Sequence, residues 1–165
     1  TDAFGIPRGP LYIQYLFGKE GVVVNELACR IGGAFEDVTI PAATGFDILA
    51  AVLDGALGRE APPPRLTGKG CGSFRVLLPF ARPGKLAYLT PLKDLKSLPF
   101  VVDAGYNVQQ GQVLPAFKNA GARLGHIVLT ADGERQMQFH LNILHQVFQV
   151  LDQEGNDMLL PVGEE

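Results

Sequence analysis

Three consecutive prolines, Pro62-Pro63-Pro64, set the first limit on what this chain can become. Proline fixes φ and has no amide proton, so neither a helix nor a central strand crosses that point. The 165 residues therefore divide into a first part over 1–59, a linker over 60–66 and a second part over 67–165. Each part is short, but with 47% hydrophobic and 19% charged residues the chain can bury a core and is not disordered. A net charge of −3 with no Lys/Arg run offers no surface for a nucleic-acid backbone. No apolar run approaches the length of a membrane span, and no signal-peptide pattern opens the chain. Cys29 and Cys71 are too few for a disulfide framework and lack CxxC spacing. Two reduced thiols in a cytoplasmic protein are the expectation. The opening Thr1-Asp2-Ala3-Phe4 has no initiator Met, as expected for a piece processed or cut from a longer polypeptide.

In the first part, Leu11 to Phe17 and Gly21 to Leu27 are rich in β-formers and read as paired strands. Ile48 to Leu57 carries apolar residues at 48, 49, 52, 53, 56 and 57, a helical spacing, with Asp47 as N-cap and Gly58 as the stop. The second part reads as a hairpin of Ser73–Phe80 with Lys85–Leu89, short strands at Phe100–Val102 and Gly125–Thr130, and a helix from Glu134 to Leu151. Met137, Leu141, Leu144, Phe148 and Leu151 line one stripe of that helix, so it packs on a sheet. The pattern is α+β.

The first two strands carry the informative residues. A turn of Lys19, Glu20 and Gly21, with glycine in the left-handed position, pairs residues whose numbers sum to 40. Gln14 then faces Glu26, roughly 5 Å away at Cβ, unless a bulge shifts the register. Strand alternation puts Ala28 and Arg30 on the same face. An amide oxygen beside a carboxylate suits a hard cation that also keeps phosphate oxygens, and Arg suits a phosphate or acyl phosphate. Taken alone, the same residues favour the plainer reading, a solvent-facing Glu–Arg pair at i, i+4, which is common and contributes little.

Other candidates read more plainly. Gly68-Lys69-Gly70 fails the phosphate-loop pattern, because glycine rather than Ser/Thr follows the lysine. His140 and His145 stand five apart on the last helix, which is no ligand-pair spacing, so packing or surface roles are expected. Cys29 alternates to the opposite face from Glu26 and reads as a small core residue.

The stretches LYIQYLF and VVNELACRIGG resemble the second half of an ATP-grasp domain, in which a strand bearing Glu or Gln pairs with one bearing Glu-x-Asn-x-Arg. Gln14 is similar to the carbamoyl-phosphate synthetases, and Asn-Glu-Leu-Ala-x-Arg to the carboxyaminoimidazole ribonucleotide synthetases. ATGFDILAAVLDGALG resembles the segment that closes that fold, and GARLGHIVLTADGERQMQF the β-rich end of amino-acid ligases and biotin carboxylases. The resemblance implies the C-terminal half of an ATP-grasp fold, an antiparallel sheet with helices, then a small β-rich subdomain with a C-terminal helix. It implies ATP and Mg²⁺ (or Mn²⁺) as cofactors, with Gln14 and Glu26 as metal ligands. Glu26 and Arg30 would contact the nucleotide phosphates, and Arg30 would act in catalysis. Ala28 replaces the usual Asn, which removes one ligand. The implied reaction joins a small carboxylate to an amine. The N-terminal and central lobes that cradle ATP are missing, so the fragment alone is expected to be inactive. A homodimer is compatible with this reading. A non-catalytic association or regulatory module, and a split subunit completed by another chain, are the alternatives.

Overall fold

The computed structural model describes residues 4–6, 8–60, 72–116 and 118–161. The chain divides into two compact units, Thr1–Gly70 and Cys71–Glu165. The linker expected over 60–66 lies, after Glu60, outside the described residues, as do Gly68-Lys69-Gly70 and Cys71. Among the described residues no single helix is long and apolar enough to cross a membrane.

The first unit begins with an antiparallel pair, β1 (Tyr12–Gly18) and β2 (Gly21–Ala28). Two helices follow, α1 (Glu36–Thr44) and α2 (Ile48–Ala56). The second matches expectation: the Asp47 carboxylate accepts the Ala50 amide at 2.8 Å, and Gly58 follows the helix with φ 72°. Helix α1 is not expected from the residues of 36–44. Val38, Thr39 and Ile40 are β-branched and Pro41 sits inside the helix, so local propensity points elsewhere. Acidic Glu36 and Asp37 in the first turn offset this through the helix dipole. At the other end, Gly45 takes the left-handed conformation and its amide bonds the Pro41 carbonyl.

The second unit holds the core. Its elements are β3 (Ser73–Leu77), β4 (Gly84–Lys85), β5 (Tyr88–Leu89), α3 (Leu92–Lys96), β6 (Val101–Tyr106), β7 (Val113–Leu114), β8 (Gly125–Ala131), α4 (Glu134–Val147) and β9 (Val150–Leu151). The main sheet is antiparallel, ordered β3-β8-β6. Met137, Leu141 and Leu144 of α4 join buried Ile127 and Leu129 of β8 in one cluster, as the apolar stripe of that helix predicts. The expected hairpin of 73–80 with 85–89 does not form. Instead β3 pairs with β8, β4 with β7, and β5 with β9. Pro79 and Pro83 interrupt the segment, and its main chain bonds distant residues: Leu124 N to Pro79 O at 2.8 Å, Leu160 N to Phe80 O at 2.9 Å. Residue 148 is extended (φ −81°, ψ 107°), so the last helix ends short of the expected Leu151. Buried Thr90 secures that corner by accepting the Gln149 amide at 2.8 Å and donating to the Val147 carbonyl at 2.9 Å.

A half-exposed polar cluster ties three of these elements together. His126 Nε2 donates to Asp103 Oδ2 at 2.9 Å, and Lys96 Nζ to Oδ1 at 3.1 Å. Partial burial raises the Asp103 carboxyl, yet the bonds from His126 and Lys96 outweigh it and hold the group below its ordinary value of 3.8. A lowered folded pKa adds stability above the ordinary carboxylate range, and that stability is lost as pH falls through the folded value. Asp103→Asn is therefore expected to flatten the loss of thermal stability below about pH 4, read by calorimetry from pH 7 downward. An unchanged acid limb would remove Asp103 as its source.

Candidate functional site

The hairpin brings Gln14 opposite Glu26, as expected, but by a different route. Gly21 has the predicted positive φ, 108°. The closing pair, however, is Gly18 with Gly21, so Lys19 and Glu20 alone form the turn. Near the turn, paired residues sum to 39: Phe17 faces Val22, Leu16 faces Val23 and Tyr15 faces Val24. Carried onward, that register would set Gln14 against Asn25. A bulge intervenes between Gln14 and Tyr15, and Asn25 is left without a ladder partner. Beyond it the pairs are Gln14 with Glu26, Ile13 with Leu27 and Tyr12 with Ala28. The bulge restores the juxtaposition it was expected to spoil.

Arg30 lies past the strand end and reaches back to this face. Its Nη2 is 3.4 Å from Glu26 Oε1, its Nη1 donates to the Ile31 carbonyl at 3.0 Å, and its guanidinium stands 5.5 Å from the centre of the Tyr12 ring. Both partners of the ion pair are about half exposed, so the pair itself contributes little to stability. What it does is hold the guanidinium beside the carboxylate, between an aromatic face and the loop. Asn25 is the member that sequence reading missed: its Nδ2 donates to Gln14 Oε1. The only hint was the extra residue that a shorter turn would demand.

The loop after Arg30 is built tightly. Phe35 holds a left-handed conformation (φ 65°), unfavourable for a bulky side chain. The Glu36 carboxylate folds back, accepting the Ala34 amide at 2.7 Å and covering Gly32 where a Cβ would stand. Any side chain at 32 must displace it. Cys29, expected in the core, is exposed, because the strand has ended at Ala28. Histidine 140 packs as expected, stacked on Phe100 with ring centroids 4.2 Å apart and donating from Nδ1 to the Thr130 carbonyl at 3.0 Å.

Among the described residues, no group of three or more His, Cys, Asp or Glu side chains is placed to hold a metal ion. The donors at the hairpin are one carboxylate and one amide oxygen, with a second amide adjoining. That set fits a hard cation sharing its shell with other oxygens, and does not fit a closed protein cage. A cleft of about 380 Å³ in the second unit is lined by Arg82, Lys85, Asp152 and Glu154, among others. Asp152 spends its oxygens on the amides of Glu154 and Asn156 in its own loop, so this cleft reads as loop architecture.

Gly32→Ala is expected to cost about 1 kcal/mol, the scale of one lost helix-start hydrogen bond, when Glu36 is present. In a Glu36→Ala background it should cost close to nothing. A double-mutant cycle by thermal or denaturant unfolding of the first unit measures this, and equal costs in both backgrounds would contradict the packing described.

Residues 76–141 match the sequence model of a family described as "L-amino acid ligase C-terminal domain 2". No curated protein matches the chain. Among solved structures, the chain is similar to an L-amino acid ligase from Bacillus licheniformis, with TM-score 0.73 and 18% identity, over 92% of this chain and 38% of that one. It is similar to a phosphoribosylglycinamide synthetase from Anaerococcus prevotii, with TM-score 0.71 and 12% identity, over 87% and 37% of the two chains. An N5-carboxyaminoimidazole ribonucleotide synthetase from Thermotoga maritima follows at TM-score 0.55 and 12% identity, again over 87% and 37%. The chain thus spans well under half the length of these structures. Its fold is that of the C-terminal part of the ATP-grasp ligases, and within it residues 76–141 match the L-amino acid ligase C-terminal domain.

Proposed function

We propose that this chain is the C-terminal part of an ATP-dependent ligase that activates a carboxylate as an acyl phosphate and joins it to an amine. The observation that carries the reading is Gln14, Glu26 and Arg30 on one face of a hairpin, in a fold shared with such ligases. Gln14 Oε1 and the Glu26 carboxylate are the oxygens that would hold Mg²⁺ or Mn²⁺. The cation, when bound, neutralises phosphate charge and aligns the transfer. Glu26 also keeps Arg30 aimed at the same space. Arg30 gives a planar, permanently charged donor for the γ-phosphate and then for the acyl phosphate. In the first step a substrate carboxylate oxygen attacks the γ-phosphorus and ADP departs. In the second, the amine nitrogen attacks the acyl carbon, phosphate departs and one proton is lost.

The hairpin supplies one wall of this site, and the ATP-binding lobes would supply the other. Exposed apolar residues support that need for cover: Phe17 is 82% exposed, and Leu16, Val22, Val23 and Val24 are each more than half exposed. A two-stranded hairpin with apolar residues on both faces is marginal on its own. These lobes belong upstream in the same polypeptide, and translating the DNA before Thr1 tests that directly. About 200 further residues, the size of one or two domains, would agree. An unrelated domain there would favour the split subunit or the non-catalytic module.

The decisive assay measures ADP and phosphate release. The 165-residue chain alone should show none. The longer polypeptide should turn over only with both a carboxylate and an amine present, and Arg30→Ala should lower kcat by about a hundredfold or more. Turnover by the isolated chain, or full activity in Arg30→Ala, would sink the proposal.

A further inference from the structure

Ala28 brings no oxygen to the face it shares with Tyr12, Gln14 and Glu26, while the bulge brings an additional amide to that face three residues earlier. We propose that Asn25 is an oxygen donor to the divalent cation of this site, and so makes up for the amide that position 28 lacks. The inference rests on the ligase reading above and goes further by naming a ligand.

Three observations carry it. Asn25 is the bulged residue, so its side chain is not bound to the strict alternation that places Val24 and Leu27 on the opposite face. Its Nδ2 donates to Gln14 Oε1, which puts the Asn25 amide across the strands on the Gln14 side, next in sequence to Glu26. No described residue bonds its Oδ1. The arrangement therefore gathers two side-chain amides and a carboxylate on one exposed surface. A carbonyl oxygen has two lone pairs, so Gln14 Oε1 accepts from Asn25 and still has one for a cation. A hard cation of the Mg²⁺ or Mn²⁺ type takes six oxygens. Gln14, Asn25 and Glu26 account for three, and leave room for phosphate oxygens and water. The competing role is a cross-strand tie alone, which uses Nδ2 and makes no demand on Oδ1.

The two roles separate by substitution. Mn²⁺ is titrated in the presence of ADP into the polypeptide carrying this chain and its ATP-binding lobes, with free Mn²⁺ read by electron paramagnetic resonance. Asn25→Ala is expected to weaken Mn²⁺ affinity about tenfold. Asn25→Asp should retain or tighten it, because it keeps an oxygen while losing the N–H to Gln14. Unchanged affinity in Asn25→Ala, or equal losses in both variants, overturns the proposal. Glu26→Ala is the internal control. If it abolishes Mn²⁺ binding while Asn25→Ala does not, only the Asn25 assignment fails. If it leaves Mn²⁺ binding intact, the ligase reading of the hairpin fails with it. Unfolding midpoints of all three variants confirm that each is folded.

Discussion

The candidate site depends on a single irregularity in a two-stranded ladder. A two-residue turn and a fully regular pairing would have set Gln14 against Asn25, and Glu26 would have moved to the other face. The bulge at Asn25 absorbs one residue, and the register beyond it returns Glu26 to Gln14 and Ala28 to Tyr12. Arg30 then reaches both the Glu26 carboxylate and the Tyr12 ring. Because side-chain direction has a period of two, no smaller adjustment would do. The Glu–Arg pair adds little stability, so the arrangement is better explained by what it presents than by what it holds together.

The two units differ in how complete they are. Cys71–Glu165 has a continuous core in which Leu86, Leu95, Leu129 and Val150 are wholly buried, closed by Thr90 at the end of α4. Neither helix of Thr1–Gly70 has a fully buried residue, and its strands show large apolar side chains on both faces. The polar face of the candidate site belongs to the less buried unit. Under the proposed reading the hairpin face would meet another lobe, and the chain spans 38% of the Bacillus licheniformis structure.

Much of this was legible in the residues. Helix α2 announced itself through Asp47, its apolar spacing and Gly58, and helix α4 through its stripe. Gln14 opposite Glu26 was reached from the sequence, although through compensating differences: the turn is one residue shorter than expected, and the bulge returns that residue. The run of β-formers Val22, Val23 and Val24 that leads into the bulge marks a strand but not where its register shifts. Helix α1 was hidden by β-branched residues and Pro41, whose cost is met by acidic residues at one end and Gly45 at the other. The strand pairings of the second unit were misread because β3, β4 and β5 all find partners far along the chain. Alternation reveals a strand but not its neighbour. Cys29 was misplaced because alternation was carried one residue past the strand's end.

Under the proposed reading, one face of this hairpin meets a metal–nucleotide complex. Paramagnetic broadening tests it most directly: Mn²⁺ is added with ADP to the ¹⁵N-labelled polypeptide that contains this chain and its ATP-binding lobes. Amide signals of Gln14, Glu26 and Arg30 are expected to broaden at substoichiometric Mn²⁺ and to recover when excess Mg²⁺ displaces it. Broadening that spares these residues, or that falls instead on the Asp152–Asp157 loop, would contradict it.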